Sequence, residues 1–275
     1  MRMGLGRTTA AMFGALVSLA IILFPVYAII VASFEKSDAL YSNTYHWLPY
    51  HPTIENYSSV LRTQSTHLLS SLILGLGTAA LSLALAVPAA HFLARYRFRV
   101  TIVVMGVLLV AQIVPSIVIA NSLFVVYYSI HLLNSYPGLI LADATYSLPF
   151  AILVLRAFML GLPEDVLQAA RVDGASEWQT FMQIVLPMSR SAIVTVSLFG
   201  FLNGWGDFIF ALTLLQGGGA IAPLTLSIYN YIGEFNTNLG AAMAAAVFAV
   251  LPAAVMLIAA QRYIAAGLTA GAIRG

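Results

Sequence analysis

The sequence predicts an all-α integral membrane protein with six transmembrane helices and both termini in the cytoplasm. Three observations predict it: a mean hydropathy of +0.93 with only 8% charged residues, apolar runs of spanning length, and a lopsided placement of arginines. Soluble domains usually carry about a quarter charged residues, so membrane lipid is the solvent of most of this chain. A helix needs about 20 mostly apolar residues to cross the hydrocarbon core. Six such runs lie near 11–33, 68–93, 100–122, 137–160, 190–214 and 239–261, within one membrane domain over 1–275.

The first run is too long for the apolar region of a signal peptide, and Val31-Ala32-Ser33 is a poor cleavage site, which favours a retained helix over a cleaved leader. Between runs three and four, SLFVVYYSIHLLNSY (122–136) is too apolar for an ordinary loop. It either continues the third helix or packs as a short interfacial turn. Orientation follows from the basic residues of short loops. Ten arginines, at 2, 7, 95, 97, 99, 156, 171, 190, 262 and 274, flank one side of the runs, against only Lys36 and Arg62 on the other.

Composition also excludes several functions. With no cysteine, the chain has no disulfide and no thiolate metal site. Its net charge of +2 is scattered along one membrane face instead of forming a nucleic-acid patch. A P-loop needs a lysine after a glycine-rich turn, and the single lysine, Lys36, stands in Phe-Glu-Lys-Ser-Asp on the outer side. This chain therefore holds no ATP, and neither a GxSxG nor an HExxH motif offers other chemistry. The five histidines, at 46, 51, 67, 91 and 131, lack metal-ligand spacing and are assigned structural roles.

Against this background one segment is conspicuously charged. PEDVLQAARVDGASEWQTFMQIVLP, residues 163–187, contains Glu164, Asp165, Arg171, Asp173 and Glu177. It is punctuated as two short helices. Pro163 suits a helix start, Glu164 and Asp165 complement the positive end of the helix dipole, and Gly174 stops the helix. Ser176 and Gln179 have capping-box spacing for a second helix, whose Trp178, Phe181, Met182 and Val185 recur on one face. Such a pair either lies on the membrane surface or docks into a groove of a soluble partner. The predominance of carboxylates favours docking, because surface helices tend to carry Lys and Arg.

The pattern Gln168-Ala169-Ala170, Asp173-Gly174-Ala175 and Ile184-Val185-Leu186-Pro187 resembles the EAA loop of the membrane subunits of ATP-binding-cassette importers. The resemblance is nearest to the maltose-type carbohydrate permeases. It extends to Pro52-Thr53-Ile54-Glu55-Asn56-Tyr57, to Asn134-Ser135-Tyr136-Pro137-Gly138-Leu139-Ile140, and to the terminal stretch Gly267–Gly275. It implies the type I importer permease fold, a cytoplasmic coupling loop over 161–188 and a tail over 262–275. It also implies that Glu164, Gln168, Ala169, Ala170, Asp173 and Gly174 meet an ATPase subunit. The tail residues Gly267, Leu268, Thr269, Gly271 and Arg274 would reach toward the ATPase pair. Gln168 stands where the family usually has glutamate, and Glu164, one turn earlier on the same face, can serve in its place.

Intramembrane carboxylates are costly and invite explanation. In run five, Gly200, Asn203 and Asp207 recur at i, i+3 and i+7 with Gly204 alongside, forming a small, polar face. Such a face points into a bundle, either as a structural hydrogen-bond network or as the border of a translocation path. Path candidates are Asn203, Trp205 and Asp207, joined by Asp143, Tyr146 and Asn121. Sugar sites pair aromatic rings with amides and carboxylates, and Tyr127, Tyr128 and Gln112 add to that supply.

The sequence thus points to a permease subunit of an inner-membrane importer for a carbohydrate or related polyol, without catalytic residues. The expected partners are a second permease subunit, two ATPase subunits that carry ATP and magnesium, and an extracytoplasmic substrate-binding protein. An ion-coupled secondary transporter, with Asp143 and Asp207 as carriers, is the alternative.

Overall fold

A computed structural model describes residues 5–41, 47–96, 99–217, 219–229, 231–233 and 236–272. In order along the chain the helices are α1 (Leu5–Ser33), α2 (Ser37–Leu40), α3 (Glu55–Thr63), α4 (Ser65–Arg95), α5 (Arg99–Ala111), α6 (Ser116–Ser129) and α7 (Tyr136–Leu160). The chain continues through α8 (Glu164–Val172), α9 (Glu177–Thr180), a π-helical turn (Phe181–Val185), α10 (Leu186–Met188), α11 (Arg190–Trp205), α12 (Ile209–Leu214) and α13 (Leu224–Tyr229). A two-residue antiparallel ladder, β1 (Ile232–Gly233) with β2 (Asn236–Thr237), precedes α14 (Leu239–Ala272).

Four of these helices contain a stretch long and apolar enough to cross a membrane: Ala11–Ser33, Ser65–Arg95, Tyr136–Leu160 and Leu239–Gln261. The other two runs differ from the sequence expectation. The third run, expected as one span over 100–122, is a pair of helices, α5 and α6, bent by 100°. Pro115 opens α6 in an extended conformation (φ −60°, ψ 135°). It has no N–H for an i−4 carbonyl and its ring clashes there, so the helix cannot run through. The apolar 122–136 stretch supplies the rest of α6 and then the turn into α7. In the fifth run α11 is 16 residues, about 24 Å against a hydrocarbon core of about 30 Å, and it stops at Gly206 before α12.

The chain forms two compact units, residues 1–65 with 228–251, and residues 66–227 with 252–275. In the first, the Pro52–Tyr57 motif ties down the end of α1. The Asn56 amide donates to the Ser33 and Glu35 carbonyls at 2.9 and 2.8 Å, satisfying backbone groups that the helix end leaves open. Tyr57 adds a hydroxyl contact to Ser33 at 2.6 Å and a ring contact to Phe34 at 5.0 Å.

The second unit is built on close approach of α4, α7 and α11. Small residues at the contacts let backbones meet: an added Cβ at Gly200 would sit 3.2 Å from the Ala79 Cα, and one at Gly204 2.6 Å from the Leu74 carbonyl oxygen. Ser82 and Ser147 join α4 to α7 through their hydroxyls at 2.6 Å. The Asn134–Ile140 motif is a helix start. Ser135 caps α7 by accepting the Gly138 N–H at 3.2 Å, Pro137 fills the first turn, and Gly138 leaves room for the Leu132 carbonyl, 2.4 Å from where a Cβ would stand.

Candidate functional site

Two places in the second unit gather the residues singled out by the sequence. The first is the charged segment. Glu164 and Asp165 open α8, and Gly174, at φ +81°, ends it. The N–H of Ala175 donates to the Ala170 carbonyl at 2.9 Å and that of Gly174 to Arg171 at 3.1 Å, the paired bonds of a left-handed glycine stop. The expected capping box is present: Ser176 Oγ accepts from Gln179 N at 3.2 Å, and Gln179 Oε1 accepts from Ser176 N at 2.8 Å.

The expected apolar face of the second helix divides. Phe181 and Val185 are buried, whereas Trp178 and Met182 are 68% and 44% exposed. The buried pair stands at the two ends of the π turn, Phe181–Val185. Phe181 packs its ring 4.7 Å from that of His91 on α4. Beside it Arg95, the last residue of α4, donates to both carboxylate oxygens of Glu177 at 3.0 and 3.2 Å, with Arg171 3.8 Å away. Glu177 is 59% exposed, so the pair is worth under about 1 kcal/mol. Its role is to fix register. A cavity of about 350 Å³ separates this docked segment from the ends of α4 and α7, lined by His91, Arg95, Met159, Glu164, Leu167 and Val185 among others.

Two of the five charges that made the segment conspicuous are thus used within the chain: Glu177 clamps α9 to α4, and Arg171 faces it from α8. Among the described residues no ion pair reaches Glu164, Asp165 or Asp173. Gln168 and Ala169 are exposed as well, while Ala170 is buried under the turn. The outward face of α8 therefore presents Glu164, Asp165, Gln168 and Ala169, not Ala170. In the tail, Gly267, Leu268, Thr269 and Gly271 continue α14 as backbone, and Arg274 lies outside the described residues.

The second place is a cavity of about 250 Å³ lined by Ser116, Asp143, Tyr146, Asn203, Gly206, Asp207, Phe208, Ile209 and Phe210. Four path candidates from two separate sequence stretches, Asp143 with Tyr146 and Asn203 with Asp207, meet here. The Asn203 amide donates to the Asp143 carbonyl at 3.1 Å, joining α11 to α7. Asp207 is not on the face of α11 as expected, because the helix ends before it. Both its carboxylate oxygens cap α12, accepting the N–H groups of Phe210 at 3.1 Å and Ala211 at 2.9 Å. The Thr225 hydroxyl donates to its carbonyl. Asparagine offers one acceptor oxygen and sets an NH2 against the second N–H. Asp207→Asn is therefore expected to lower the thermal stability of the solubilised chain less than Asp207→Ala, which forfeits both bonds and loses about 0.5–2 kcal/mol.

Two candidates lie elsewhere. Trp205 stacks on Phe201 (centroids 5.8 Å apart, planes at 15°) and is buried against Ala79, away from the cavity lining. Asn121 is exposed on α6. Sequence reasoning missed Ser116, Gly206 and Phe208 to Phe210, which enter the lining only because the helices break beside them. Proline before Ser116 and glycine at 206 were the available signals. Gln112, read as a possible sugar contact, instead donates its amide to the Tyr146 carbonyl at 3.3 Å.

Residues 59–270 match the model of the family described as binding-protein-dependent transport system inner membrane component. A trehalose transport system permease protein of Mycobacterium tuberculosis is 33% identical over 231 residues, 83% of this chain and 84% of that protein. A sulfoquinovosyl glycerol transport system permease protein of Agrobacterium fabrum is 29% identical over 255 residues, 92% of this chain and 89% of that protein. In fold, the chain superposes with a TM-score of 0.78 on a chain of a bacterial ABC transporter involved in the import of the acidic polysaccharide alginate, at 19% identity, covering 96% of this chain and 99% of that one.

Proposed function

The chain belongs to the family of binding-protein-dependent transport system inner membrane components, and from that premise we propose that it conducts a sugar or related polyol across the inner membrane, driven by a separate ATPase. It is a permease subunit and not an enzyme. The sugar assignment draws on the relatives, which are named for trehalose and for sulfoquinovosyl glycerol. The family itself speaks against the ion-coupled alternative, since its members depend on a binding protein.

One observation carries the coupling: the exposed acidic face of α8 sits on a hinge that is capped at both ends and clamped by Glu177–Arg95 to the end of a spanning helix. A push on α8 is therefore delivered to α4. In this reading two ATPase subunits close on ATP and magnesium, which this chain does not bind, and carry the 161–188 loop inward with them. The cavity turns from cytoplasm to exterior and receives substrate from an extracytoplasmic binding protein. Hydrolysis returns it. A second permease subunit completes the pathway, the termini lie in the cytoplasm, and the tail at 267–275 reaches the ATPase pair. Asp143, Tyr146, Asn203 and Asp207 border the path.

The chain has no native cysteine, which makes the test clean. A cysteine introduced as Ala169→Cys is expected to crosslink to a nucleotide-hydrolysing subunit in native membranes, and the same change at buried Ala170 far less. Failure of Ala169→Cys to capture any ATPase overturns the coupling assignment.

A further inference from the structure

We propose that Arg156 is a positioning residue of the transport cycle: its Nε–H holds the cytoplasmic end of α4 against α7, so that a stroke received through α8 and α9 moves both helices together. The inference rests on the coupling reading and deepens it. α4 ends at Arg95, and the last carbonyls of a helix have no intrahelical N–H to accept. The Tyr96 N–H donates to that of Phe92 at 3.0 Å. Arg156 Nε donates to that of Leu93 at 3.1 Å, from the neighbouring helix.

This bond is the inner rung of a polar ladder between α4 and α7. Above it Ser82 meets Ser147 at 2.6 Å, the Thr78 hydroxyl faces the Asp143 carboxyl, and Ser70 meets the Tyr136 hydroxyl at 2.8 Å. The partners of Ser70, Ser82 and Leu93 stand 66, 65 and 63 residues further along the chain, so the two helices run side by side in nearly constant register. From Ser70 to Leu93 is about 34 Å of helix, against a hydrocarbon core of about 30 Å. The ladder is as long as the bilayer is thick. Between Ser82 and Leu93 the contact is apolar, with Ala86 and Ala90 of α4 clustering with Ala151, Ile152 and Leu155 of α7. Lipid tails are as apolar as these residues, so their contact has no hydrophobic drive. Loss of the Arg156 bond leaves the inner part of α4 tied to α7 by that contact.

Force enters at this same end. Arg95, two residues beyond Leu93, holds Glu177 of α9, while α7 runs into α8 through the turn at 161–163. A stroke therefore reaches α4 from α9 and α7 from α8, and Arg156 is the tie that keeps the two in step. Further up, α7 carries Asp143 and Tyr146 to the cavity. An arginine at the inner end of a span also contributes to orientation and can reach toward headgroups. Those roles need its charge, whereas the tie needs its Nε–H. Glutamine separates the two, because its amide nitrogen stands as many bonds from the backbone as Nε and donates without charge.

The test uses the assembled transporter in membrane vesicles, with cysteine-free partner subunits and spin labels on Phe92→Cys and Leu160→Cys, exposed positions near the inner ends of α4 and α7. The label-to-label distance is measured by pulsed electron paramagnetic resonance with and without a non-hydrolysable ATP analogue. With Arg156, and with Arg156→Gln, one distance is expected in both states. With Arg156→Met, or with Arg156→Leu should Arg156→Met assemble poorly, the share of molecules keeping that distance is expected to fall about fivefold or more once nucleotide is bound, the scale of a typical coupling. The proposal is overturned by a distance that changes with nucleotide while Arg156 is intact, or by donor-free variants that keep it. It is also overturned if Arg156→Lys keeps the distance and Arg156→Gln does not, since charge and not the hydrogen bond would then be what matters. Copurification of the ATPase is scored in the same preparations. Its presence leaves the coupling reading standing when the role of Arg156 falls, and its absence sinks both.

Discussion

Gly174→Val is expected to strip the ATPase from the purified complex, while Gly174→Asn keeps most of it. At φ +81° the backbone of Gly174 lies in the left-handed region, and no atom lies within 4 Å of the place a Cβ would take. The effect of substitution is therefore purely conformational. Asparagine tolerates this region; a β-branched residue does not. Holding a non-glycine residue there costs about 1–3 kcal/mol, a loss of about 5- to 150-fold in the population of the docked hinge. The bonds at stake are those from Gly174 and Ala175 back to Arg171 and Ala170, which set the angle between α8 and α9. The measurement is the ATPase-to-permease ratio after affinity purification of this chain. Full retention with valine would mean that the turn does not orient the docking face.

The second large effect is expected at Gly204. A Cβ there would lie 2.6 Å from both the Leu74 carbonyl oxygen and the Thr78 hydroxyl, and 2.9 Å from the Leu74 carbonyl carbon. Backbone atoms cannot swing aside as a side-chain tip can, so α11 must move off α4. Overpacking of this kind costs about 1–3 kcal/mol, and the displaced residue is next to Asn203, which ties α11 to α7. Gly204→Val is expected to lower the thermal unfolding temperature of the solubilised protein and its folded yield. Gly106→Val, where no atom lies within 4 Å, is the matched control and should leave both unchanged. Equal behaviour of the two variants would show that close backbone approach is not what holds α4 against α11.

Much of this was legible in the residues, for identifiable reasons. The apolar runs are set by lipid thickness, a constraint so strong that four of them appear as unbroken helices with nearly the expected ends. Gly174 and the Ser176–Gln179 box carry their conformations locally, so spacing alone placed the hinge. The breaks were harder. Pro25, Pro88, Pro149 and Pro252 all sit inside continuous helices, because neighbouring groups in a membrane protein can take up the bond that proline forgoes. Pro115 breaks its helix, and nothing in its immediate sequence sets it apart from those four. Once α11 stops at Gly206, helical periodicity no longer tells where a side chain goes. Asp207 then becomes a cap instead of a face residue, whereas Trp205, two residues earlier and still within α11, stacks on Phe201 one turn before it. The union of Asp143 with Asn203 joins residues 60 apart, which only the fold can do.

Over Ala11–Ser33, α1 reaches a mean hydropathy of 2.7, yet only 6% of that stretch is buried inside the chain. Within this chain its stability in the bilayer comes mostly from its own backbone bonds, with the Pro52–Tyr57 motif holding only its end. During synthesis such a helix can leave the translocon and settle as an autonomous anchor before any later helix exists, with assembly following as a separate stage. Folding errors in this protein should then arise late, where α4, α7 and α11 must find one another, and a quality-control protease would meet a chain already moored by its first helix.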